Sequence, residues 1–284
     1  MSVPSRRFGV STHLYHGHRL TADHVREIAG AGFERLELRA TRSHFDYHND
    51  ACIADLQGWL GESGMTLSSV HAPLGEEFSA GRWGRPWSLA AADADERAHA
   101  AAEAGRAIHL ARRMPFGVFV VHLGVPRWSA TAAVENSRDA ARRSIEELSA
   151  IAAPLGVRIA VELIQNELSR DGSLAHFVES VVEDADAGVC LDVGHAHLDG
   201  DVIDAIETLA EHLIAVDLHD NQGRADDHLV PFEGAIDWAG TVTAIQKVGY
   251  ERTLTLELAP RGGGKDTLAR ARRARERLER LMAT

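Results

Sequence analysis

Residues 187–195 read Ala187-Gly188-Val189-Cys190-Leu191-Asp192-Val193-Gly194-His195, an apolar run that stops on a carboxylate and passes at once into a glycine and a histidine. A short run without polar alternation, bounded by turn residues, reads as a strand buried on both faces, as in a parallel sheet. The carboxylate that ends it is costly to bury unless it is paired, protonated or bound to a metal. The same pattern recurs along the chain. Strands are expected at residues 8–12, 34–39, 66–71, 117–123, 157–163, 187–192, 213–219 and 253–258. Between them lie Ala-, Arg- and Glu-rich stretches of helical period, at 21–31, 50–63, 88–113, 131–153, 173–183, 201–211, 237–248 and 265–281.

The punctuation agrees with this division. Gly32, Gly64, Gly156 and Gly249 each stand just past a helical stretch, where a left-handed cap is commonly required, and Asp237 is placed to cap the helix that follows it. Eight alternating pairs leave a closed barrel or an open doubly wound sheet. The closed (β/α)8 barrel, an α/β fold in which residues 1–284 form one domain, is expected because only there do all strand ends open on one face, and the unusual polar residues fall at strand ends.

Composition bounds the partners. Asp and Glu outnumber Lys and Arg by 42 to 30, a formal charge of −12 that disfavours nucleic acid. The two cysteines, Cys52 and Cys190, are too few for a disulfide framework and read as small core residues in a reducing, cytoplasmic setting. No apolar run approaches the roughly 20 residues of a membrane helix. With only Lys247 and Lys265, Schiff-base chemistry has little to work with. The partner expected is a small sugar-like molecule, and a homodimer is compatible with the sequence.

Collecting the strand ends gives His71, His122, Glu162, Asp192 with His195, His219 with Asp226 and His228, and Glu257. Singly, each is an ordinary hydrogen-bonded residue. Together, four carboxylates among them would repel strongly without a cation between. Mixed nitrogen and oxygen ligation suits one to three divalent ions, Zn, Mn or Co, with Mg also accommodated by the carboxylates.

The segments Ser69-Val70-His71-Ala72-Pro73, Val120-Val121-His122-Leu123-Gly124, Leu191-Asp192-Val193-Gly194-His195-Ala196-His197 and His219-Asp220-Asn221 resemble the xylose isomerase-like barrel superfamily, above all its sugar phosphate isomerase/epimerase branch. The run from Asp226 to Trp238 strengthens the likeness, although the family more often has Gly where Phe232 stands. The resemblance covers nearly the whole chain. Ketose 3-epimerases of that superfamily hold one metal with a Glu, Asp, His, Glu quartet, which corresponds here to Glu162, Asp192, His219 and Glu257. The related type IV apurinic endonucleases use a larger set for three zinc ions, and His71, His122, His195, Asp226 and His228 match those further positions. For an isomerase or epimerase, the resemblance implies a metal-stabilised enediolate, with Glu162 and Glu257 as the acid/base pair. For a phosphoesterase it implies that Glu162 bridges ions.

The net charge and the acids Glu76 and Glu77 after His71 favour the sugar chemistry. Around that centre, Trp83 and Trp87 lie in a loop suited to a lid, Arg127 is placed to meet a phosphate or carboxylate, and His13 lies in the first βα loop on the same face. These four are the expected substrate contacts. Glu37 is expected to pair with Arg39, and His197 to orient a ligand.

Overall fold

In the computed structural model, which describes residues 8–79, 82–127 and 136–283, the eight apolar runs form eight parallel strands. They are β1 (Phe8–Ser11), β2 (Arg35–Arg39), β3 (Thr66–His71), β4 (Val118–Val121), β5 (Arg158–Glu162), β6 (Gly188–Asp192), β7 (Leu213–Leu218) and β8 (Leu254–Leu256). Each pairs with its neighbours in sequence, and β8 returns to β1 with Val10 opposite Leu256, so the sheet closes into a (β/α)8 barrel.

The crossovers carry α1 (Ala22–Gly30), α2 (Asp50–Ser63), α3 (Ala94–Ile108), α4 (Arg138–Ala152), α5 (Asp171–His176), α6 (Val193–Asp199), α7 (Val202–Leu209), α8 (Trp238–Lys247) and α9 (Gly264–Met282). The main core lies between barrel and helices, where Phe8, Val10, Leu36, Leu38 and Phe119 meet Ile28, Leu56, Ile108 and Leu278. The four expected cap glycines adopt left-handed φ values of 86°, 65°, 71° and 73°. Asp237 caps α8 by accepting from the Ala239 and Gly240 amides.

Three elements differ from the sequence reading. The third helix starts at Ala94, not 88, because Ser88 turns the chain by accepting from the Ala90 amide and Asp93 then caps with its side chain. After α5 the chain continues as one π-helical turn, Phe177–Val181. The helix α6 was not expected at all: it has seven residues, too few for a helical period to show, and Asp192 starts it by accepting from the His195 amide at 2.7 Å. The start of the expected helix at 131 lies outside the described residues. The loop after β3 contains a two-stranded ribbon, Phe78–Ser79 against Arg82–Trp83. No helix among the described residues is long and apolar enough to cross a membrane.

Alternation along the strands fixes what the barrel interior contains. Side chains two apart share a face, so Ala160 stands below Glu162, Cys190 below Asp192, Asp217 below His219 and Glu37 below Arg39. Val118, Val120, Ala160 and Cys190 form a small apolar plug inside the barrel, and the ionisable groups sit above it at the strand ends.

Candidate metal centre

The structure brings the strand-end residues together. The Nε2 atoms of His71 and His122 each lie 2.9 Å from the same oxygen, Oε2 of Glu162. The other oxygen of Glu162 is 3.3 Å from Nδ1 of His195, whose Nε2 faces Asp226 at 3.3 Å. Nε2 of His219 lies 2.9 Å from Asp192, and Nε2 of His228 lies 3.2 Å from Asp226. Three groups emerge whose ligand atoms lie within 4.8 Å of one another: His71, His122 and Glu162; Glu162, Asp192 and His195; and His195, His219, Asp226 and His228. Glu162 and His195 are each shared by two of them.

Main-chain carbonyls orient the rings. Nδ1 of His71 lies 3.0 Å from Ala72 O, Nδ1 of His195 lies 3.0 Å from Leu163 O, and Nδ1 of His228 lies 3.1 Å from Glu257 O. An Nδ1–H donated to a carbonyl leaves the Nε2 lone pair facing the mouth, the tautomer a metal requires. His71 makes the point most sharply. Burial lowers its pKa, Arg39 adds to the effect, and Glu162 only partly offsets it, so the ring is neutral with one proton for two acceptors, Ala72 O and Glu162 Oε2. Burial alone would raise Glu162, but His122, followed by hydrogen bonds from His195 and His71, holds it well below the usual carboxylate range. With that proton on Nδ1, the Nε2 lone pair would face the Glu162 carboxylate at 2.9 Å, an arrangement that a bound cation would relieve.

Other atoms agree. Asp192 Oδ2, Asp226 Oδ1 and His219 Nδ1 are buried without a hydrogen-bond partner, and His219 Nε2, though 2.9 Å from Asp192, makes no well-aligned hydrogen bond. Such orphans are rare in folded proteins, and here they cluster on one donor set of mixed nitrogen and oxygen, so the residues fit a divalent ion. Burial opposes protonation of His195 and His228, yet Asp192 and Asp226 raise the first and Asp226 raises the second, to about 9. These rings would hold protons that a bound metal would displace.

Glu257 is only 1% exposed and stands outside the three groups, with Arg39 Nη1 donating to its carboxylate and His228 Nδ1 3.8 Å away. The expected pair of Glu37 with Arg39 is therefore corrected. Arg39 reaches across β1 to the carboxylate at the mouth, while Glu37 accepts from Ser69 Oγ at 2.8 Å. Burial and then repulsion by Glu257 push Glu37 up to about 7, and burial with Glu37 raises Asp217 well above its ordinary range. Beneath the mouth, both carboxyls therefore take up protons more readily than ordinary carboxylates. Cys190 is the buried small residue anticipated, its thiol 3.2 Å from Asp217.

His13 is 7% exposed, stacks on His16 at 4.2 Å and approaches His228 at 4.4 Å, with Nδ1 unpartnered. Trp87 lies edge-on to His99 of α3. Arg127 pairs with Asp199 at 3.0 Å, joining the loop after β4 to the end of α6. Trp83 lies on the ribbon, its side chain outside the described residues. His197 contacts Asn221 Oδ1 at 2.8 Å, and Asn221 Nδ2 donates to Gly194 O.

Sequence reasoning gave no role to Asp220, which holds the ligand-bearing loop. Fully buried, it accepts from the Asn221, Phe232 and Ile236 amides and from Trp238 Nε1, at 2.9, 2.9, 3.2 and 2.8 Å. These bonds pin the chain on both sides of Asp226 and His228. Phe232, where the family more often has Gly, has φ 75°, the left-handed region that explains the glycine preference. Gly194 is needed for a different reason: a Cβ there would overlap the His219 ring. We expect Gly194→Ala to displace that ring and weaken divalent-metal binding by roughly 10- to 100-fold, the range typical of disturbed ligand support, as read by isothermal titration. Unchanged affinity would remove His219 from the centre.

The fold and site define a (β/α)8 barrel whose mouth is lined with candidate metal ligands. The chain belongs to the family described as Xylose isomerase-like TIM barrel, whose profile matches residues 25–283. Among curated proteins it is 27% identical over 266 residues to the uncharacterized protein MJ1311 of Methanocaldococcus jannaschii, covering 90% of this chain and 84% of that one. It is 34% identical over 117 residues to the uncharacterized protein y4fM of Sinorhizobium fredii, covering 40% of this chain and only 38% of that protein. Among solved structures, a D-tagatose 3-epimerase-like protein superposes with TM-score 0.77 at 24% identity, over 98% of this chain and 97% of that one. An IOLI protein with a bound zinc atom gives 0.78 at 17%, over 96% and 98%. An AP endonuclease, family 2, from Brucella melitensis gives 0.67 at 21%, over 93% and 97%. At these identities the structural likenesses speak to the fold.

Proposed function

We propose that the protein is a divalent-metal-dependent isomerase or epimerase of a small sugar or sugar phosphate. The observation that carries this reading is the separation of the two glutamates. Glu162 is held among four histidine and aspartate ligands, while Glu257, buried in the same mouth, lies outside the ligand groups and is fixed by Arg39. One carboxylate is committed to the metal groups, and the other is fixed where it can take a proton from a substrate carbon. The residues that would hold an ion are Glu162, Asp192, His219 and the histidines around them. A divalent ion there supplies Lewis-acid polarisation of a substrate carbonyl. Glu257 removes the proton, Arg39 keeps its carboxylate oriented, and His13 offers a neutral ring to a substrate hydroxyl, burial having lowered it well below the ordinary imidazole range. The D-tagatose 3-epimerase-like protein among the structural neighbours supports the same reading.

The expected result is metal-dependent incorporation of solvent deuterium at a substrate carbon in a panel of ketoses, aldoses and their phosphates. Glu257→Gln lowers the exchange rate roughly a thousandfold, within the range for loss of a general base. No exchange across the panel with manganese or zinc loaded would overturn the assignment. A second reading, a multinuclear phosphoesterase, is favoured by one observation, the sharing of Glu162 and His195 between ligand groups. It requires two or three tightly held ions and cleavage of a phosphodiester such as abasic DNA. One exchangeable ion and no cleavage would exclude it.

A further inference from the structure

The opposite end of the barrel holds a cavity of about 490 Å³ at the N-terminal ends of the strands. Arg35, which opens β2, and Arg252, just before β8, line it together with Thr66, Ser68, Thr253 and Thr255. No Asp or Glu occurs among its described lining residues, in a chain that carries 42 of them. Three other cavities, beside α1 and α9, beside α6 and beside α8, each have a carboxylate in the wall.

The two guanidiniums are not neutralised. Arg35 is half-buried and donates from Nη1 to Thr253 Oγ1 at 2.7 Å, and neither it nor Arg252 pairs with a carboxylate among the described residues. Arg158, on the neighbouring rim, shows the contrast, since Asp186 takes it at 2.9 Å. A partly buried guanidinium left with spare donors is suited to a planar or tetrahedral oxyanion. Gly9 lets β1 approach the Arg35 and Thr253 side chains closely, since a Cβ there would stand 3.2 Å from Thr253 Cγ2 and 3.3 Å from Arg35 Cβ.

We propose that this cavity is a binding site for a phosphate group, orthophosphate or the phosphate of a small phosphorylated metabolite, held by Arg35 and Arg252 at the end of the barrel away from the candidate metal centre. The site is independent of the reaction proposed above. Isothermal titration of the full-length, chelated chain at constant ionic strength tests it, with orthophosphate, glucose 6-phosphate and glucose as probes. Chelation removes any binding through a metal at the mouth. Saturable binding of orthophosphate or of the phosphate ester, with none of glucose, is expected. An ester bound more tightly than orthophosphate identifies a metabolite as the ligand, and equal affinities identify the phosphate alone.

Arg252→Glu is expected to weaken binding at least about tenfold without lowering the melting temperature, because Arg252 is exposed. Arg35→Gln is expected to weaken binding to a similar degree, and Arg35→Lys to restore part of the affinity. The proposal fails if neither phosphate probe binds, if potassium chloride reproduces the signal, or if Arg252→Glu binds as the wild type does.

Discussion

Exchanging Glu162 for glutamine lowers divalent-metal affinity by at least roughly a hundredfold while the barrel stays folded. The size follows from the position of one side chain. Glu162 faces His71 and His122 through one oxygen and His195 through the other, so it belongs to two ligand groups at once. An amide removes the anion that balances the cation and presents an N–H where an oxygen is needed. In the metal-free chain the effect is smaller: the surrounding histidines favour the carboxylate and the amide loses that stabilisation, but it is offset in part by the desolvation that a neutral side chain avoids. Titration with manganese and zinc gives the affinity, and a thermal melt of the chelated proteins checks the fold, with a change under about 5 °C expected. A variant that binds metal as tightly as the wild type would show that the ion, if any, sits elsewhere.

Asp220→Ala is the larger effect on stability. The substitution orphans buried donors from Phe232, Ile236 and Trp238, which the carboxylate now satisfies at 2.8 to 3.2 Å. Each unsatisfied buried donor costs about 1–3 kcal/mol, partly recovered by relaxation, so a loss of about 3–5 kcal/mol is expected. For a chain of this size that corresponds to a melting temperature lower by about 10 °C. The same change frees the loop carrying Asp226 and His228, and metal binding weakens together with stability. A loss below about 1 kcal/mol in a denaturant titration would show that water replaces the carboxylate and that other contacts hold the loop.

Much of this was legible in the sequence, for a physical reason. A strand buried on both faces is an unbroken apolar run, so a polar residue at its end stands out, and Glu162, Asp192 and His219 were visible in that way. The glycine caps were legible because a left-handed φ leaves few choices of residue. What the sequence hid depends on tertiary partners. Asp220 follows His219 like any loop acid, and only the fold reveals that amides 12 and 16 residues later converge on it. Arg39 was read as the partner of Glu37 because the two are close in sequence, whereas barrel closure offered it Glu257 from β8. The short α6 depends on a cap by Asp192, a residue also read as a ligand, and seven residues are too few to show a period. Phe232 is the clearest case of a departure with a visible cost. A non-glycine residue held at φ 75° is retained beside the Arg277 guanidinium, 3.7 Å above its ring, and the Trp238 ring at 5.9 Å.

The central claim is that the histidine and carboxylate groups at the barrel mouth hold divalent metal. Anomalous X-ray scattering from crystals of the zinc- or manganese-loaded protein tests it most directly. The expected result is at least one strong peak within ligand distance, about 2.0–2.2 Å, of Glu162 and its histidine or aspartate neighbours. Peaks confined to surface residues, or none at the mouth in fully loaded crystals, would contradict it.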